Sequence, residues 1–139
     1  MNNTTSAVPE WAAAKLALVV DDDSFSRELF TEMLLALGIT DTHTADTGRK
    51  ALRVLAALPR QPDLVICDVF MPDMDGIEFL DTLASQGYTG DIILVSGQDI
   101  DMMAIAREMA ISQGLQLLGA FTKPVTQAVL ALALAQASA

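Results

Sequence analysis

The chain has 139 residues, 52% hydrophobic and 19% charged, with a net charge of −10 at pH 7. That composition fits one globular domain with its own core and excludes a disordered chain. It argues against a surface that grips nucleic acid, which needs clustered Lys and Arg, and no apolar run approaches the length of a membrane span. A solvated acidic surface accounts for most of the excess charge, and part of it could gather around a cation. The single cysteine, Cys67, permits no intrachain disulfide and fits a reducing cytoplasm. The opening Met1-Asn2-Asn3-Thr4-Thr5-Ser6 lacks the basic and apolar regions of a secretory leader.

Residues 1–15 read as a flexible N-terminal extension, with a helical turn expected near Trp11, ahead of a domain over 16–139. Residues 16–20, Leu-Ala-Leu-Val-Val, are an apolar run of strand type that ends at Asp21-Asp22-Asp23. Ser24 is expected to cap a helix in which Leu29, Phe30, Met33, Leu34 and Leu37 recur at helical spacing until Gly38 stops it. Residues 39–45 make a weak second strand. Residues 48–58 make an amphipathic helix with Ala51, Leu52 and Leu55 inward, closed before Pro59.

The third strand, 64–67, is an apolar run that stops at Asp68 and is followed by Met71-Pro72 and Asp75-Gly76. Gly76 opens a helix with Ile77, Leu80 and Leu83 inward. A fourth strand over 91–95 ends at Ser96-Gly97, and a helix over 100–113 places Met102, Ile105, Ala106 and Met109 inward. A fifth strand over 115–121 leads to Thr122-Lys123-Pro124, then a helix over 126–137. On that helix Val125, Val129 and Leu132 share one face, with Leu130 and Leu134 roughly opposite. One face is expected on the sheet, and the other either packs on the fourth helix or offers a partner contact.

Five strand–helix units in succession force parallel pairing with helices on both faces. The expected fold is α/β, a three-layer, doubly wound sheet. Asp21 and Asp22 end strand one, Asp68 strand three, Ser96 strand four and Lys123 strand five. In a 2-1-3-4-5 strand order these ends gather at the switch point between strands one and three, where ligands bind. Three carboxylates brought together repel by about 4 kcal/mol per pair at roughly 4 Å and an effective dielectric near 20. They persist if protonated, separated or neutralised, and an all-oxygen set with open positions suits Mg2+. A phosphoryl group on Asp68 would meet that cation, the Lys123 ammonium and the Ser96 hydroxyl, which supply positioning and charge neutralisation.

The motifs Val19-Val20-Asp21-Asp22, Cys67-Asp68 with Met71-Pro72 and Asp75-Gly76, Ser96-Gly97 and Lys123-Pro124 together resemble the receiver domain of two-component response regulators. The resemblance covers about 16–137. It implies the flavodoxin-like order 2-1-3-4-5 and Asp68 as the phosphorylated residue. It also implies a Mg2+ site of Asp21, Asp22, Asp68 and the backbone carbonyl of Phe70. Ser96 and Gly97 would be switch and phosphate-binding residues, Lys123 an ion-pair partner, and Lys123-Pro124 a cis bond. Phe70 and Gln98 stand at variable flanking positions, where the bulk of Phe70 is expected to hinder water attack on an acyl phosphate. The implied partners are a histidine kinase or histidine phosphotransfer domain, with a homodimer or output domain on the face of helix four, strand five and helix five. Neither nucleic acid nor membrane is implied, and the cytoplasm is the expected location.

One departure stands out. Many receivers carry an aromatic residue three positions before the lysine, where this chain has Ala120. Strand alternation aims the adjacent Phe121 at the other face. Cys67 reads as inert packing, His43 as a structural or surface residue, Asp73 and Asp75 as turn residues, and Asp23 as a solvated or helix-start residue. An aspartyl-nucleophile phosphatase of the haloacid dehalogenase type needs a second Asp two residues after the nucleophile. Phe70 stands there, which counts against that enzyme. A degenerate receiver that binds partners without phosphorylation is the other alternative, and the full set of site residues counts against it.

Overall fold

The computed structural model describes residues 15–71, 76–97 and 100–137. The N-terminal extension, apart from Lys15, therefore lies outside the described residues, as do Asp73, Asp75 and Gln98. Strands β1 (Leu16–Val20), β2 (Asp41–Ala45), β3 (Leu64–Asp68), β4 (Asp91–Ser96) and β5 (Gln116–Thr122) form one sheet in the order β2-β1-β3-β4-β5. Every neighbouring pair is parallel. Helices α1 (Ser24–Ala36), α2 (Gly48–Ala57), α3 (Gly76–Ser85), α4 (Ile100–Ser112) and α5 (Gln127–Ala137) alternate with them. The three-layer α/β fold expected from the strand–helix alternation is the fold observed.

The central strands β1, β3 and β4 are buried on both faces, which explains why they read as continuous apolar runs. On one face Leu18, Val20, Val65 and Cys67 pack with Phe79, Leu80 and Ala106. On the other, Val19, Ile66, Ile93 and Val95 pack with Phe30, Leu34, Leu130 and Leu134. Each fully buried large side chain contributes about 1.5–3 kcal/mol of transfer free energy, so the sheet is the rigid body on which the loops sit.

Strand starts are tied at the opposite edge. Leu16 donates its N–H to Asp63 Oδ2 at 2.8 Å, and the Asp63 N–H returns to the Leu16 carbonyl at 2.7 Å. Asp91 donates to the Asp63 carbonyl at 2.9 Å, and the buried Tyr88 hydroxyl donates to the Pro62 carbonyl at 3.0 Å. With β1, β3 and β4 in register at the start, Val20 pairs with Cys67, Asp68 with Val95 and Ser96 with Thr122.

Several local expectations are corrected. Asp23, not Ser24, caps α1: its carboxylate accepts from the Ser26 N–H at 3.1 Å and the Ser26 hydroxyl at 2.8 Å. A carboxylate at that position also meets the positive end of the helix dipole. Leu29, expected inward, is exposed on α1, and so is Ile105 on α4, where Ala106 is buried as expected and Ala110 joins it. On α5 the buried residues are Leu130, Ala133 and Leu134, while Leu132 is exposed.

β5 carries one extra residue. Ile92 pairs with Leu117 but Ile93 pairs with Gly119, so Leu118 is the bulge. Beyond it the alternation holds as expected. Ala120 packs against the α2–α4 side of the sheet and Phe121 against the side that holds Phe30 and Val125. The Phe121 ring lies over Gly119, where an added Cβ would sit 2.5 Å from it. A side chain at 119 would have to displace that ring.

Candidate functional site

Each buried strand ends where its apolar run meets a polar residue, and the register puts those ends side by side. Asp21 follows β1, Asp68 and Ser96 close β3 and β4, and Lys123 follows β5. Asp21 is fully buried, Asp68 and Ser96 nearly so, and Asp22 is exposed. Carboxylate oxygens of Asp21, Asp22 and Asp68 all lie within 4.8 Å of one another. The Lys123 Nζ stands 2.7 Å from Asp21 Oδ2 and 3.2 Å from Asp68 Oδ2.

The second oxygen of each buried carboxylate is held by the backbone. Asp23 donates its N–H to Asp21 Oδ1 at 2.9 Å, and Phe70 donates its N–H to Asp68 Oδ1 at 3.0 Å. The β4 and β5 ends are locked by the Lys123 N–H to the Ser96 carbonyl at 2.8 Å. The Lys123–Pro124 peptide bond is cis. Two further residues shape the pocket: Arg27, which no motif advertises, and Gly76, the second residue of the Asp75-Gly76 motif. Arg27, one turn into α1, donates Nη1 to the Asp21 carbonyl at 2.8 Å. Gly76 starts α3 directly against the β3 exit: its N–H reaches the Val69 carbonyl at 2.9 Å, and a Cβ there would lie 2.5 Å from the Asp68 carbonyl oxygen. No side chain fits at that approach.

Three carboxylates face one ammonium, and Asp68 titrates above its ordinary value. Burial, with the Asp21 charge adding to it, pushes its carboxyl up to about 6, although the Phe70 N–H and Lys123 pull the other way. Burial acts to lower Lys123, but its hydrogen bond to Asp21 and the charges of Asp68 and Asp21 outweigh that and hold it above its ordinary value. The cluster fits a hard divalent cation. Its ligand atoms are all oxygen, their spacing lets one ion at about 2.0–2.6 Å touch several of them, and the charge it would neutralise is present. The Ser96 hydroxyl is buried without a hydrogen-bond partner. Leaving such a group unpaired costs about 1–3 kcal/mol, so this hydroxyl has a hydrogen bond to give.

The structure thus brings Asp21, Asp22, Asp68, Ser96 and Lys123 to one sheet edge. Phe70 is 60% exposed beside Asp68, and Gly97 is exposed at the end of β4. His43 stays apart, on β2 with Asp41 at 3.0 Å, and Cys67 is core. An apolar hollow of about 290 Å3 opens next to Lys123, walled by Phe25, Leu29, Phe30 and Pro124. The i, i+4 spacing of Phe25 and Leu29, offset from the buried Phe30, Met33 and Leu34, was its sequence signal.

A family model described as the response regulator receiver domain matches residues 17–135. Among curated proteins, the chain is 31% identical over 108 residues to the alkaline phosphatase synthesis transcriptional regulatory protein SphR of Synechococcus elongatus, covering 73% of this chain and 42% of that one. It is 35% identical over 80 residues to the probable C4-dicarboxylate response regulator DctR of Bacillus subtilis, covering 57% and 34%. The chain spans less than half the length of these relatives. Among solved structures, a response regulator from Colwellia psychrerythraea matches with a TM-score of 0.75 at 30% identity, covering 91% of this chain and 98% of that one. The chemotaxis protein CheY4 of Vibrio cholerae matches with a TM-score of 0.74 at 25% identity, covering 89% and 98%.

The raised Asp68 titration makes a pH prediction. Between its ordinary value of 3.8 and about 6 the folded chain holds a proton that the unfolded chain has lost. This contribution to stability is full below 3.8 and lost as pH rises through about 6. In EDTA at pH 7.5, Asp68→Asn should therefore stabilise the fold by ~1–2 kcal/mol after solvent screening. The gain should vanish below about pH 3, where both states carry a protonated Asp68. Urea titrations at the two pH values check both statements.

Proposed function

The chain belongs to the response regulator receiver domain family, and from that membership we propose that it is a phosphoryl-accepting switch with Asp68 as the acceptor. Receivers of this family work with histidine kinases or phosphotransfer proteins and with output domains, generally as switches, and use Mg2+ at an aspartate cluster. The observation that carries the reading for this chain is the convergence of three carboxylates, one ammonium and one unpartnered hydroxyl at four strand ends.

In the proposed reaction an Asp68 oxygen forms a bond to phosphorus as the donor's nitrogen–phosphorus bond breaks, and the electron pair of that bond leaves with the donor imidazole. The Phe70 N–H holds Asp68 Oδ1 and so fixes the carboxylate's orientation. A divalent cation bound by Asp21, Asp22, Asp68 and the Phe70 carbonyl would neutralise phosphoryl charge. Lys123, already 3.2 Å from Asp68 Oδ2, pairs with the arriving phosphoryl group, and the Ser96 hydroxyl donates to it. Gly97, next to Ser96, leaves the β4 end open to the phosphate. Phe70, projecting beside the acceptor, restricts the approach of water to the acyl phosphate. The response leaves through α4, β5 and α5, where Ile105, Ile111 and Leu132 are exposed apolar residues fit for a second copy or an output domain. No helix among the described residues is long and apolar enough to cross a membrane, and we place the protein in the cytoplasm with its kinase.

A protein donor has to cover the rim of the site to bring an imidazole to Asp68. Phe25 and Leu29 stand on that rim beside Lys123 and Pro124, 68% and 36% exposed, and give it apolar contact area.

Three outcomes follow. With Mg2+ and acetyl phosphate the chain should gain an acid-stable, base-labile adduct. No adduct on the natural chain, or equal labelling of Asp68→Asn, would overturn the proposal. The same adduct should decay faster in Phe70→Ala, by about two- to tenfold, and an unchanged decay rate would remove Phe70 from the account of phosphoryl lifetime. Phe25→Ala with Leu29→Ala should slow phosphoryl transfer from a protein donor by tenfold or more, about 1.4 kcal/mol, and leave labelling by acetyl phosphate unaltered. Equal loss with both donors would place these residues in the fold of the site rather than at a docking surface.

A further inference from the structure

We propose that the groove over the carboxyl end of edge strand β2 is a second binding site, for a small phosphate-bearing anion. The groove has a volume of about 380 Å3, within the range of small-molecule sites. Thr44, Ala45 and Asp46 form its floor, Arg27 of α1 stands at one side, and Lys50 and Arg53 of α2 stand at the other. Thr44 pairs with Val19 and Ala45 with Val20, whose side chains lie on opposite faces of the sheet. The cations therefore reach the strand end from both faces and enclose it.

The charge distribution is what singles out this groove. The chain has 8 Lys and Arg against 18 Asp and Glu, and three of those eight cations line one groove. An acidic protein repels anions from most of its surface, so a concentration of cations is where one can bind. The three are in different states. Arg27 is anchored, with Nη1 on the Asp21 carbonyl at 2.8 Å, which holds its planar fork in place. Lys50 is paired at 3.1 Å with Asp46, the one carboxylate in the lining. Arg53 has neither a hydrogen bond nor an ion pair with any described residue. One carboxylate against three cations leaves a net positive groove. Two guanidinium forks suit phosphate oxygens better than a single-point acceptor, and Thr44 brings a hydroxyl to the same lining.

Arg27 also links the groove to the acidic cluster, because it holds the backbone of Asp21. A cation in the cluster and an anion in the groove have opposite charge, so each is expected to tighten the other, and the coupling is reciprocal. This consequence rests on the proposed cation site; the anion site itself does not.

The test is a titration of the 139-residue chain with inorganic phosphate in EDTA at constant ionic strength, followed by backbone amide NMR. Without a divalent cation, the carboxylate cluster has nothing to bridge it to a phosphate. Saturating shifts at Thr44, Asp46 and Arg53 are expected, and Arg53→Gln should raise the apparent Kd about tenfold, as loss of a charged hydrogen bond does. Arg53→Lys should recover part of that loss. Shifts that never saturate, shifts confined to Ser96 and Lys123, or an Arg53→Gln chain with unchanged affinity would each overturn the site. Repeating the titration with Mg2+ tests the link: a phosphate affinity indifferent to Mg2+ would overturn the coupling, and leave the groove standing if the EDTA arm succeeded.

Discussion

The constraint on which this molecule turns is the confinement of negative charge around Asp68. Asp21 and Asp68 are buried, Asp22 sits at their lip, and one ammonium, that of Lys123, lies within reach of both buried carboxylates. Two buried like charges a few ångströms apart are unfavourable by several kcal/mol at any reasonable protein dielectric. The chain tolerates this by giving each carboxylate a backbone N–H and sharing Lys123 between them, which leaves the site short of positive charge. That shortage makes the pocket receptive to a cation and, on the proposed reading, with the cation to a phosphoryl group.

Holding such a cluster requires a scaffold that does not relax, and the far edge of the sheet supplies it. The ties from Asp63 to Leu16 and Asp91 set the starts of β1, β3 and β4, and parallel strands of five or six residues carry that register to their ends. Because the strands are buried on both faces, a slip by one residue would exchange the two apolar clusters wholesale. The placement of Asp68 beside Val95, and of Ser96 beside Thr122, is thus decided about a strand length away from the chemistry. Gly76 adds the local condition, since α3 can press against the Asp68 carbonyl only where there is no Cβ.

How much of this the sequence disclosed follows from which forces act locally. The strand–helix alternation, the polar residues at the strand ends and the opposed faces of Ala120 and Phe121 were legible, because buried runs that stop at polar residues and strand alternation are properties of the chain itself; the strand order came with the resemblance to receiver domains. The cap of α1 was misplaced by one residue, since Asp23 and Ser24 are both good caps and the choice depends on Ser26 turning its hydroxyl to Asp23. Ile105 was expected inward because periodicity marks a face only to within a residue or two. Ala106, expected there, and Ala110 take that place, since a small side chain lets α4 approach the sheet closely. Arg27 gave no signal at all: a single arginine on a helix face looks solvated until the fold brings the Asp21 carbonyl to it.

A change at Asp68 has few routes out of the site. With alanine at position 120, β5 offers no large ring on its α2–α4 side to swing toward Ser96, and the ring of the next residue, Phe121, is held on the opposite side over Gly119. The connection that remains is main-chain. The Lys123 N–H is bonded to the Ser96 carbonyl, so a hydroxyl drawn toward a phosphate carries with it the backbone that fixes the start of the β5–α5 loop. On the proposed reading, Lys123 is pulled by the same phosphate through its side chain. Both forces then act on one segment, between the bulge at Leu118 and the first turn of α5. A bulged strand is held by fewer ladder bonds than a regular one, so this is where the sheet can yield with the least cost to its core.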